Sequence, residues 1–252
     1  MWYRSAMDKF ALRKNQLNAD LHVHAFENPN TGQDEIGPTQ ESHMKSIIST
    51  AILRGLDLLG IVSHNSFDPG WLCQKIIADN GYDIVAMAGM EVPSAEKIQT
   101  VVFNGRTPPT PGEPVESICQ RAHSEGGTVL VVRPSRRNVQ RLNKVAGTPN
   151  APDFVEIFND QTQGGYLRAF VDTGPDESFQ LVMDSAAKNA TDLADSVMMT
   201  RVPREFLVER GMLGKETGVD YEPPFLARRH EQQGGKSPWN QPSPPDIVPS
   251  GT

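Results

Sequence analysis

The sequence predicts an α/β barrel, and three observations carry that prediction. Short apolar runs alternate with longer amphipathic stretches along most of the chain, as repeated strand and helix units require. There are eight such runs, a number that suits a closing sheet better than a helical bundle. Several runs end on His, Asp or Glu, which seldom terminate a buried strand without a partner.

Composition allows such a core. The chain has 252 residues with a hydrophobic fraction of 37%, enough for one large domain. Its 24 Lys and Arg against 31 Asp and Glu give a net charge of -7, so long nucleic acid and anionic lipid are disfavoured partners. No apolar run approaches the ~20 residues of a membrane helix. The start, Met1-Trp2-Tyr3-Arg4, lacks the apolar core of a signal peptide, so a cytoplasmic location with no membrane contact is expected. Cys73 and Cys119 form neither a disulfide framework nor a Cys-x-x-Cys knuckle. Metal chemistry must therefore draw on six histidines and on carboxylates.

Taken in order, the expected strands are 18–23, 56–62, 84–88, 100–103, 128–132, 154–158, 179–183 and 197–200. Met44, Ile47, Ile48 and Ala51 recur at i, i+3, i+4 and i+7, which predicts a helix that Gly55 stops. Asp68-Pro69 predicts a second helix, with Asp68 as N-cap and Pro69 at its first position. Val115, Ile118, Cys119 and Ala122 repeat the helical spacing ahead of Gly126-Gly127. Residues 1–14 read as an N-terminal extension and 15–230 as the single barrel domain. Residues 231–252 carry Pro238, Pro242, Pro244, Pro245 and Pro249 among Gly, Ser and Gln, a composition that cannot bury a core and reads as a disordered tail.

The sharpest local feature is Asp20-Leu21-His22-Val23-His24. On a strand, residues i and i+2 point to one side, so the His22 and His24 imidazoles converge on one point. They are followed by the polar stretch Glu27-Asn28-Pro29-Asn30-Thr31-Gly32, where an α/β barrel places its site. His64 ends the second run, Glu91 the third and Asp184 a late one.

These residues belong to motifs that, in order, resemble those of the PHP (polymerase and histidinol phosphatase) domain. They are Asp20 to His24, Gly55-Leu56-Asp57 to His64-Asn65, Gly89-Met90-Glu91-Val92, Gly126-Gly127-Thr128-Val129-Leu130 to Pro134, Val155-Glu156-Ile157-Phe158-Asn159, and Asp184. The similarity covers about residues 17–200. It implies a distorted (β/α)7 TIM-like barrel, up to three divalent metals and phosphate-ester hydrolysis. Carried over by position, the first metal would take His22, His24, Glu91 and Asp184. The chain departs from the family at the other two sites. Arg133 stands before Pro134 where the family has a histidine, and Lys97-Ile98-Gln99-Thr100 offers no imidazole. His64 matches the third site, but Ser63 and Ala186 replace an aspartate and a histidine. The resemblance thus supplies ligands for one Zn, Mn or Fe ion, with two or three as the upper bound.

One such ion can lower the pKa of a bound water to ~7 and so furnish a nucleophile. Phosphoryl transfer also builds charge that a second cation must offset. Arg133, with Arg136 or Arg137, can supply it and grip a phosphate; the other reading pairs Arg133 with Glu91 in an inactive site. Asp20 is expected to orient an imidazole rather than to ligate. Asp20, His64 and Arg133 are the candidate catalytic residues, and Arg133 and Arg136 the candidate phosphate-binding ones. His43, His123 and His230 read as solvated or surface histidines, and Met198, Met199, Phe103, Phe154 and Phe158 as core. The function that follows is hydrolysis of a phosphomonoester or small phosphodiester, with a small phosphorylated substrate as partner and the oligomeric state open. Two alternatives stand beside it: a binding or assembly module that has lost catalysis, and an amidohydrolase-type metal hydrolase, against which no carbamylated-lysine position or middle-strand histidine pair is found.

Overall fold

The computed structural model describes residues 16–26, 40–64, 66–159, 179–184, 187, 193 and 200–209; at 158, 159, 183 and 184 it describes the backbone only. The chain divides into compact units, Met1–Tyr221 and Glu222–Thr252, and every described residue lies in the first. The expected extension 1–14, the tail 231–252, His230, Ala186, Met198 and Met199 lie outside the described residues.

Eight strands form one sheet: β1 (Gln16–Val23), β2 (Leu58–Ser63), β3 (Val85–Pro93), β4 (Gln99–Phe103), β5 (Thr128–Val132), β6 (Phe154–Asn159), β7 (Gln180–Asp184) and β8 (Thr200–Pro203). Their spatial order is β7-β6-β5-β4-β3-β2-β1-β8. Helices α1 (Gln40–Leu53), α2 (Asp68–Asn80), α3 (Val115–Ser124), α4 (Arg136–Leu142) and α5 (Arg204–Glu209) complete the described elements.

The sheet is mixed and eight-stranded, so the expected distorted (β/α)7 barrel holds in its coarser form, an α/β fold with a barrel-like sheet. Strands β1, β2, β3, β5, β6 and β7 run parallel, whereas β4 is antiparallel to both neighbours and β8 is antiparallel to β1. The cause is local for β4: a tight turn from Pro93 to Gln99, with Lys97 at φ 60 and the Ser94 amide donating to the Ile98 carbonyl, leaves no room for a crossover helix. Closure is partial. Beyond β7, Ala187 bridges Val23 in parallel and its carbonyl accepts from the His24 amide at 2.7 Å, which draws the chain back to the end of β1.

The interior holds Leu17, Ala19 and Leu21 of β1 with Leu58, Val62, Met87, Val101, Phe103, Leu130, Val132 and Phe154. Two outer cores lie under the helices. Met44, Ile47 and Ile48 of α1 meet Val23, Leu59 and Ile61, and Ile118 and Cys119 of α3 meet Ala88, Val102 and Val129. Each fully buried aliphatic side chain of this kind contributes roughly 1.5–3 kcal/mol over an exposed one. Gly55 (φ 77) and Gly126 (φ 78) adopt the left-handed backbone that ends a helix, as the sequence predicts. At α2 the expectation shifts by one residue: Phe67 is the N-cap and makes no side-chain cap, while Asp68 opens the first turn beside Pro69. No helix among the described residues is long and apolar enough to cross a membrane.

One irregularity decides where the site forms. Ala19 pairs Leu58 and Asp20 pairs Leu59, but Val23 pairs Ile61, so three steps on β1 oppose two on β2. This is a β-bulge at Leu21 and His22. Gly60 lies opposite it, and a Cβ there would stand 2.3 Å from the Leu21 carbonyl oxygen and 2.8 Å from its Cα. The bare glycine is what lets the bulged backbone settle onto β2.

Candidate metal centre

Strict alternation along β1 would put Leu17, Ala19 and Leu21 inside and turn His22 and His24 outward. The bulge reverses the parity after Leu21. Val23 packs outward with α1, and both histidines face into the barrel at the end where β1, β2, β3, β5, β6 and β7 terminate. Glu91 reaches the same place from β3 by plain alternation after Val85 and Met87. The expected end of that strand at 88 is corrected: β3 continues to Pro93, with Glu91 opposite Val101 inside the ladder.

The three side chains converge. His22 Nε2 and His24 Nε2 are 2.8 Å apart, and Glu91 Oε2 is 3.4 Å from the first and 3.2 Å from the second. Glu91 is 1% exposed, and its Oε2 has no hydrogen-bond partner. A buried carboxylate oxygen without a donor is costly unless something else satisfies it. The spacing suggests what does. Ligand atoms ~2.1 Å from a shared ion lie ~3.0 Å apart in an octahedron and ~3.4 Å apart in a tetrahedron; the two edges to Glu91, 3.2 and 3.4 Å, fall in that range, and the edge between the imidazoles, 2.8 Å, falls just short of it. The donor set of two imidazoles and a carboxylate fits Zn, Mn or Fe, and it is the group of His, Cys, Asp and Glu among the described residues that could hold an ion.

Around this triad the electrostatics are set by Glu156, which stands in the motif Val155 to Asn159 and to which the sequence alone assigns no role. Fully buried on β6, Glu156 lies with Oε2 2.7 Å from His22 Nδ1. A proton on Nδ1 donated to that carboxylate leaves the Nε2 lone pair aimed at the triad, the usual device that fixes a metal-binding tautomer. Burial lowers the His22 imidazole, but Glu156 and Glu91 outweigh it and hold it well above its ordinary value. Burial and the neighbouring His22 and His64 bring His24 down despite Glu91. Glu91 is pushed up by burial, yet His22 and His24 pull it well below the usual carboxylate range.

The remaining candidates fall at measurable distances. His64 follows the last residue of β2, is 37% exposed, stacks on His24 with ring centroids 4.8 Å apart, and places Nδ1 3.9 Å from Glu91 Oε2. Asp20 is fully buried, and its Oδ1 lies 3.5 Å from the His22 amide, within the bulge. It thus meets the backbone of His22, while Glu156 meets the ring. Arg133 directly follows β5 and sends Nη2 to 4.0 Å from Glu91 Oε1. Arg136 and Arg137 are exposed in the first turn of α4. Asp184 closes β7 opposite Asn159; its side chain is outside the described part. His43 sits in α1 near Phe26, with centroids 6.2 Å apart. His123 is no plain surface residue: it is hydrogen-bonded to Asp153 and the Pro149 carbonyl.

No protein-family model matches the chain, and no curated protein matches it. Solved structures do. PsfC from Pseudomonas syringae is 13% identical with a TM-score of 0.47, over 79% of this chain and 98% of its own. A protein from Bifidobacterium adolescentis, proposed as a metal-dependent phosphoesterase, is 11% identical with a TM-score of 0.47, over 80% and 96%. The lesion-specific endonuclease Q of Pyrococcus furiosus is 15% identical with a TM-score of 0.43; the match covers 71% of this chain and 50% of that one. At such identities these likenesses assign no activity to the chain.

Proposed function

We propose that the chain is a metal-dependent hydrolase of a phosphate ester. The observation that carries this reading is Glu91 Oε2, buried without a donor and 3.2 to 3.4 Å from two imidazole nitrogens. His22, His24 and Glu91 would hold the ion, with Asp184 as the fourth ligand by its place at the end of β7. When bound, a divalent ion acidifies water and offsets charge on the phosphate. The protein's own groups do the rest. Glu156 fixes the His22 tautomer, Asp20 holds the bulged backbone, and Arg133 with Arg136 grips phosphate oxygens. Water oxygen bonds to phosphorus and gives up a proton as the ester P–O bond breaks, and the departing alkoxide takes one up by way of His64 at the exposed rim, so no net proton is gained or lost.

The test is metal content of freshly purified protein, followed by hydrolysis of 4-nitrophenyl phosphate and bis(4-nitrophenyl) phosphate with Zn, Mn or Fe supplied. Bound metal and turnover, both lost in His22→Ala, are the expected result. Protein without metal, or turnover unaltered in His22→Ala, would leave the non-enzymatic binding module standing.

A further inference from the structure

Arg133 is one of three described non-glycine residues with positive φ, at 49, a left-handed backbone that a Cβ resists. That conformation comes directly after the last ladder residue of β5 and carries the side chain across the barrel mouth toward Glu91. The guanidinium and the histidines address opposite oxygens of one carboxylate: Oε1 faces Arg133 Nη2 at 4.0 Å, and Oε2 faces His22 and His24. A separation of 4.0 Å is too long for a hydrogen bond, and the Arg133 side chain is 35% exposed. Among the described residues none takes a hydrogen bond from its guanidinium. A planar fork that donates to none of the described residues thus stands beside the metal triad, on a left-handed backbone that directs it there.

We propose that Arg133 sets the substrate class, selecting a phosphomonoester over a phosphodiester; this rests on the hydrolase reading above. The number of free phosphate oxygens decides it. A guanidinium fork binds two oxygens side by side, and one ion takes a third. A phosphomonoester offers three non-bridging oxygens and fills every position. A diester offers two, so either the fork is half-used or the ion loses its ligand. The reaction consumes one water and yields an alcohol and inorganic phosphate, with the ester P–O bond broken and a proton passing to the alcohol oxygen.

Two variants test it in the full chain. Arg133→Lys keeps the charge but presents a point donor, and Arg133→Gly removes the side chain while relieving the left-handed backbone. In Zn-loaded protein, Arg133→Lys should lower kcat/KM for 4-nitrophenyl phosphate by ~10²–10³-fold and that for bis(4-nitrophenyl) phosphate by only ~10-fold, collapsing the preference for the monoester. Calorimetric affinity for inorganic phosphate should fall by at least ~10-fold in both variants. Arg133→Gly should keep the melting temperature or raise it by up to ~4 °C. A monoester-to-diester ratio unchanged by Arg133→Lys, or phosphate affinity unchanged in both variants, overturns the proposal. A lowered melting temperature with phosphate binding intact would mark Arg133 as a partner of Glu91 alone. Should the parent protein hydrolyse neither ester, the hydrolase reading fails on its own, and the phosphate titration still decides the role of Arg133.

Discussion

Two histidine–carboxylate clusters stand at opposite ends of the barrel strands, and they differ in one respect. At the start of β5 and β6, His123 Nδ1 lies 2.7 Å from the Pro149 carbonyl and Nε2 lies 2.8 Å from Asp153 Oδ2, which also accepts from the Val129 amide at 2.8 Å. Every polar atom named there meets a complementary one. At the other end the same residue types crowd together without a full set of partners: two imidazole Nε2 atoms lie 2.8 Å apart beside a buried carboxylate oxygen that no hydrogen bond satisfies. The first cluster is a clamp between α3, the 148–153 turn and two strands. The second is a ligand set whose shared partner is a cation. Residue type does not separate them; satisfaction of hydrogen-bonding capacity does.

Breaking each cluster should therefore give opposite signatures. The largest effect is expected from Asp153→Ala, which strands the Val129 amide and the His123 ring: a loss of ~3–5 kcal/mol in thermal or urea unfolding, with metal affinity intact. His22→Ala should do the converse. If the ~10–16 kcal/mol typical of a four-ligand zinc site is shared among its ligands, metal affinity falls by ~10²–10³-fold. Glu156→Gln should weaken the ion by ~10–100-fold, because the ring keeps its place but loses the charge that fixes its tautomer; competition with a metal-sensitive dye measures it.

The smallest effect concerns pH and has a definite sign. Glu156 and Glu91 outweigh burial and hold His22 above its ordinary value of 6.5. Protonated His22 cannot ligate, so metal affinity should keep rising above pH 6.5 rather than levelling there. In metal-free protein the dependence reverses: the raised His22 contributes stability fully present below about 6.5 and lost as pH climbs through its folded value. A pH-independent metal affinity between 6 and 8, roughly, would argue against His22 as a ligand.

Much of this was legible in the sequence. The strand runs, the helical spacings at Met44 to Ala51 and Val115 to Ala122, and the shared side of His22 and His24 follow from local pattern, while Glu91 entered the ligand set through the family-like order of motifs. What was hidden depends on pairs distant along the chain. The inward turn of both histidines comes from a bulge whose partner is Gly60, and nothing in Leu21 or His22 announces the extra residue. Glu156 sits in an apolar run, and its meaning lies 134 residues away at the His22 ring. The mixed sheet was hidden for a similar reason, since a run such as 99–103 looks the same whether it is paired parallel or antiparallel. Alternation alone would have faced His22 and His24 away from the very residues they meet.

The central claim is that His22, His24 and Glu91 form a metal centre, and a calorimetric titration of chelator-stripped protein with Zn or Mn tests it most directly. The account predicts one saturable ion per chain, retained in Asp153→Ala, weakened by ~10²–10³-fold in His22→Ala or Glu91→Ala and lost when both are replaced. Absence of saturable binding, or binding that survives removal of His22 and Glu91, would contradict it.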